Sequence, residues 1–115
     1  MPLTRCLIEI GCGVDLHGSD CTKAAKRAVV DAFARNNISF HTLARTFRAD
    51  LASLQVEATI GVPNPESVDQ DVVLAELPKG NAILNVQQGG LRVQDDTGPD
   101  ATIIASAALV IRLDV

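Results

Sequence analysis

The sequence predicts a small α+β protein in the order β-α-β-α-β-β, a mixed or antiparallel sheet with helices packed on one face. Residues 5–10 and 54–60 alternate apolar and polar with a period of two, as half-buried strands do. Between them Cys21, Ala25, Ala28, Val29, Ala32 and Phe33 recur at three- and four-residue spacing, the stripe of an amphipathic helix. A length of 115 residues suits a single domain, residues 1–115, with one core.

Arg5–Ile10 reads as the first strand, with Cys6, Ile8 and Ile10 on one side and Arg5, Leu7 and Glu9 on the other. It is expected to stop at Gly11, with a loop from Gly11 to Asp20. Ser19 or Asp20 can cap the free N–H groups of the helix that follows, and Asn36-Asn37 ends it. The four-residue spacing of Leu43, Phe47 and Leu51 predicts a short second helix or helical turn. Leu54, Val56, Ala58 and Ile60 then face inward from a strand closed by Gly61-Val62-Pro63-Asn64-Pro65. Val68, Val72, Leu74 or Ala75, and Leu77 fit another short helix, stopped by Pro78-Lys79-Gly80. Asn81–Gln87 is a strand, Gly89-Gly90 a turn or bulge, and Leu91–Gln94 a short hairpin arm pairing back. After a surface loop at Asp95–Asp100, Thr102–Val115 is a strand long enough to need a bend near Ser106.

Composition narrows the function. Apolar residues make up 47% of the chain, too many for disorder. Aromatics are 3%, with no Trp or Tyr to stack on bases, and the net charge is −4 with a pI near 4.9. Nucleic acid is therefore not an expected partner. Lys23, Lys26, Arg27 and Arg35 share one helical stretch and read as a solvated face. No apolar run is long enough for a membrane span. The odd set Cys6, Cys12 and Cys21, without a signal peptide, suggests free thiols and a cytoplasmic location. A one-sided sheet with this much Val, Ile and Leu on its open face predicts a homo-oligomer.

The stretch Gly11–Lys23 carries the candidate chemistry. Three glycines, Gly11, Gly13 and Gly18, permit close backbone approach, and the helix N-terminus offers unpaired N–H groups. Asp15, His17 and Asp20 supply two acids and a titratable base, and Lys23 lies one turn into the helix. A dinucleotide cradle fits poorly, because the third glycine is not at the required spacing and Asp15 would repel phosphate. A metal held by Asp15, His17 and Asp20 would draw a further ligand from Cys12, Glu57 or His41. In an acid–base site, Asp15 and His17 handle the proton, Lys23 contacts an anion or carbonyl, and Gly11, Gly13, Gly18 and Asp20 contact the ligand. In the plainest alternative Ser19 and Asp20 cap, Asp15 makes a turn bond and His17 is merely exposed.

With Gly11, Gly13, Asp15, His17 and Gly18 as G-x-G-x-D-x-H-G, the chain resembles an uncharacterised conserved family of bacterial and plant proteins, the Lin-type hypothetical proteins. Asp20, Thr22, Lys23, Ala24 and Ala25 continue in a way similar to that family, as do Gly61-Val62-Pro63 and Gly89-Gly90-Leu91. The resemblance covers nearly the whole chain. It implies weight on Asp15 and His17, and no particular reaction or cofactor. Three functions remain open: an enzyme acting on a small polar metabolite, a non-catalytic ligand- or metal-binding module, and a structural or oligomer-interaction protein.

Overall fold

The computed structural model describes residues 3–35 and 39–115. Strand β1 spans Thr4–Asp15, helix α1 Cys21–Ala34 and helix α2 Phe40–Thr46. Strand β2 follows at Gln55–Val62, helix α3 at Gln70–Leu74, and strands β3 to β5 at Ala82–Gln88, Leu91–Gln94 and Ala101–Leu113. Short 3-10 turns at Leu51–Ser53 and Pro65–Ser67 lead into β2 and α3. The mixed five-stranded sheet has the order β1-β5-β2-β3, with β4 also on β5. Because β1 and β2 both run antiparallel to β5, they are parallel to each other with β5 between them. Strand β3 lies parallel to β2.

Alternation decides what each strand buries. Val56, Ala58, Ile60 and Val62 of β2, and Ala101, Ile103, Ala105, Ala107, Leu109, Ile111 and Leu113 of β5, enter one core with Ala24, Ala25, Ala28, Val29 and Ala32 of α1. The stripe on α1 thus includes Ala24, while Phe33 is half-buried against Phe40 in an edge-on ring contact. The expected stop at Asn36-Asn37 lies outside the described residues; the last helical residue is Ala34. From α2, Leu43 and Ala44 close the core. Helix α3 is a turn and a half and buries Val73, while the expected core residue Val72 is 38% exposed. Two neighbours, Asp69 N–H donating to Thr22 Oγ1 at 2.9 Å and Lys26 facing Glu76 at 3.5 Å, link α3 to α1.

Four expectations are corrected. First, β1 does not stop at Gly11 but continues to Asp15. A Cβ on Gly13 would collide with the Ala24 carbonyl and the Ala28 amide, and one on Gly11 with the backbone of Ala28 and Ala32. The two glycines let the helix backbone lie against the strand, so they are strand residues under α1. Second, a register shift between Arg5 and Leu7 packs Cys6 as well as Leu7 against the core, so Cys6 does not share a side with Ile8 and Ile10, which lie exposed on the uncovered face. Third, β2 runs through Gly61 to Val62. Fourth, β4 does not pair back on β3. After Gly89 and Gly90, β4 pairs with β5, Leu91 opposite Ile104 and Gln94 opposite Ala101. Close contact of Gly89 with Gly61, and a positive φ of 63° at Gly90, make room for this crossing. The 13-residue β5 is continuous; what changes near Ser106 is its partner, from β4 to β2.

Among the described residues no helix is long and apolar enough to cross a membrane. All three cysteines are free, Cys21 buried, Cys6 half-buried and Cys12 exposed.

Candidate functional site

Strand β1 delivers Asp15 to the point where the chain leaves the sheet and turns into α1. The side chain is 6% exposed, the one buried charged group among the described residues. Its Oδ2 accepts hydrogen bonds from the Gly18 N–H at 3.1 Å and the Asp20 N–H at 3.0 Å. A Cβ on Gly18 would sit 2.9 Å from the same oxygen, so glycine is what lets the loop wrap the carboxylate this closely. Asp20 then caps α1, its Oδ1 accepting from the Lys23 N–H at 3.1 Å. Ser19 adopts φ 51°, and its hydroxyl accepts from the Ala101 N–H at 3.0 Å. Thr102 Oγ1 donates to the Leu16 carbonyl at 3.1 Å. The loop is therefore fastened at one end by Asp15 and along its length by the start of β5.

Arg27 closes the other side. Its Nη1 donates to the Val14 carbonyl at 2.6 Å and lies 3.7 Å from Asp15 Oδ1. Asp31, an alternative partner for Arg27, is instead bound to Arg35 at 3.0 Å and accepts from the Cys12 N–H at 2.9 Å. That N–H bond, with the Arg35 guanidinium, holds the Asp31 carboxyl below its ordinary range.

A cavity of about 740 Å³ opens here, lined by Val14, Asp15, Leu16, His17, Gly18, Lys23 and Arg27. Of the residues singled out from the sequence, Asp15, His17, Gly18 and Lys23 come together around it. Asp20 stands at the helix cap, and Gly11 and Gly13 lie beneath α1 with their backbones covered, so the Gly-x-Gly forms no phosphate cradle. Arg27 was not expected. Its signal was the four-residue step from Lys23, which puts both cations on one side of the helix one turn apart. A smaller hollow of about 340 Å³ bounded by Lys23, Lys26, Arg27 and Val30 adjoins the same helix side. The pocket thus gathers two cations and a histidine around one carboxylate whose oxygens are already engaged. Cys12 and Glu57, considered as further metal ligands, face the uncovered side of the sheet, where Glu57 pairs with Arg112 at 2.6 Å. Among the described residues no three His, Cys, Asp or Glu side chains converge as a metal-binding group.

Comparison with known proteins agrees with this architecture. Residues 5–111 match the model of a conserved hypothetical protein family, Lin0512_fam. Among solved structures, an FtsZ-like protein of unknown function from Nostoc punctiforme superposes with a TM-score of 0.85 at 34% identity, covering 100% of this chain and 99% of that one. No curated protein matches.

Proposed function

From the chain's membership of the Lin0512 family of conserved hypothetical proteins, we propose that the pocket between β1 and α1 binds a small anionic metabolite, with His17 as its proton-exchanging group. One observation carries this. Four of the five residues of Gly11-x-Gly13-x-Asp15-x-His17-Gly18 have a task in the fold: two admit the helix, one ties the loop, one makes room for that tie. His17 has none. Its ring is exposed at the pocket and, among the described residues, makes no hydrogen bond. Beside it stand the Lys23 ammonium and the guanidinium of Arg27, of which one nitrogen is spent on Val14. A planar fork and a point charge near a helix N-terminus suit a carboxylate or phosphate ester. An imidazole can give or take a proton at such a ligand.

Asp15 acts on the ligand through the loop. Its Oδ2 is occupied by two N–H groups, so the proton passes between His17 and ligand or water, and Asp15 is a positioning residue. An enzyme using acid–base chemistry would rest on His17 and Lys23, and a pure binding module would keep Lys23 and Arg27 while tolerating loss of His17.

Calorimetric titration with inorganic phosphate and with succinate, alongside NMR of the His17 ring, tests the proposal. Lys23 is exposed, so Lys23→Met leaves the fold intact and should weaken binding about tenfold, ~1.4 kcal/mol. The His17 ring resonances should shift when the anion binds. Anions that neither bind nor move the His17 resonances would sink the proposal.

A further inference from the structure

Helices cover one face of the sheet; the other carries exposed or half-buried aliphatic side chains along β1, β4 and β5. Ile8 and Ile10 of β1 lie opposite Val110 and Ala108 of β5, and Leu91 of β4 lies opposite Ile104. Ile8, Ile10, Leu91 and Val93 are 47%, 64%, 60% and 52% exposed. A sheet face of this kind calls for a second layer. The dimensions say the same: the radius of gyration is 15.5 Å against about 13 Å for a compact domain of this length, and the thinnest extent is 18 Å.

We propose that a second copy of the chain supplies the layer, the two sheets stacking face to face through this band. Charge selects the occupant. The charges of the face are gathered at one corner, where Arg112 bonds Glu57 and Gln55, at 2.6 and 3.1 Å, Glu57 also accepts from Asn85 at 2.9 Å, and Arg5 lies opposite Arg112. The band itself, Ile8 and Ile10 with Val110, Ala108 and Ile104 and with Leu91 and Val93, carries no charged side chain, so it gives a phosphate backbone or an acidic surface little to meet and matches another face of its own kind. Area agrees. Taking β1, β5, β2 with β4, and β3 at their own lengths, about 3.3 Å per residue and ~4.8 Å between strands, the face offers about 700 Å² per copy. That lies within the share of one partner in a stable interface, roughly 600–1,000 Å². Shape agrees as well. Where Gly61, Ser106 and Ala108 carry little bulk, the face sinks into a groove of about 590 Å³ with Ile10 at its rim. An aliphatic ridge of one copy has a groove in the other to enter, and stacking would enclose Cys12, which lines that groove.

Sedimentation equilibrium and Cys12 reactivity toward Ellman's reagent test this together. The wild-type chain should be oligomeric at micromolar concentration, with Cys12 reacting slowly. Ile10→Glu should dissociate it and speed the Cys12 reaction at least about tenfold. Leu91→Glu, on a different strand, repeats the test should Ile10→Glu fail to fold. A monomeric wild type with a fast Cys12 overturns the proposal, as does an oligomer that survives both substitutions.

Discussion

Gly13 shows how much one missing methyl group decides. Its hydrogen occupies the space between β1 and the backbone of Ala24 and Ala28. Gly13→Ala should therefore push α1 off the sheet and lower unfolding free energy by about 3 kcal/mol, read from the urea midpoint at unchanged slope. Asp15→Asn poses a different test. Asparagine can still accept from one N–H, but the charge-assisted pair to Gly18 and Asp20 is lost, at a cost of about 2 kcal/mol. Amide exchange at Gly18 and Asp20 should accelerate more than at the core of β5. The residues of this site were legible in the sequence as types; their tasks were not. Nothing in Gly-x-Gly says whether a ligand or a helix comes close, and only the Ala24, Ala28 and Ala32 stripe, read together with the glycines, identifies the helix.

Among the elements, the α1 stripe and the alternation of β2 could be read directly, because local periodicity reflects a single buried side. Boundaries and partners could not. Strand β1 passes through glycines that ordinarily mark a stop, and the register shift takes Cys6 off the side it would share with Ile8 and Ile10. Strand β4 pairs through a contact set by the Gly61–Gly89 crossing, of which Leu91–Gln94 carries no trace. Helix α1 is also held to β1 electrostatically, through Asp31 and the Cys12 N–H. The folded Asp31 carboxyl titrates below its unfolded value, so the unfolded chain binds the proton first as pH falls. Its contribution is complete above the ordinary carboxylate range and fades as pH drops through the folded value. Glu57, held low chiefly by Arg112, behaves likewise. Urea unfolding between neutral and acid pH should show stability falling toward acid, with a shallower decline in Asp31→Asn. At the start of α1, Asp20→Ala should cost about 1 kcal/mol of cap stability, measurable in the same way.

At the scale of the whole molecule, the layer order explains what composition alone suggested. With 47% apolar residues and helices on one side only, the chain has more aliphatic surface than one face can bury. The expectation of self-association was drawn from that excess; the face on which it would occur, and the groove at its centre, required the register of β1, β4 and β5. If two copies stack there, heat denaturation acquires a mass-action term, and the melting temperature should rise with protein concentration by differential scanning calorimetry. In Ile10→Glu that dependence should vanish.

The strand that arrives last in chain order stands in the middle. Strand β5 takes β1 on one side and β2 with β4 on the other, so before residue 101 is available only β2 and β3 can pair as they do in the finished sheet. Assembly therefore waits on contacts that close nearly the full length of the chain, a slow order of events that leaves β1 unpaired in the interim. A nascent chain held on the ribosome with β5 still in the exit tunnel should stay open to protease along β1, and become resistant in one step once residues 101–113 emerge.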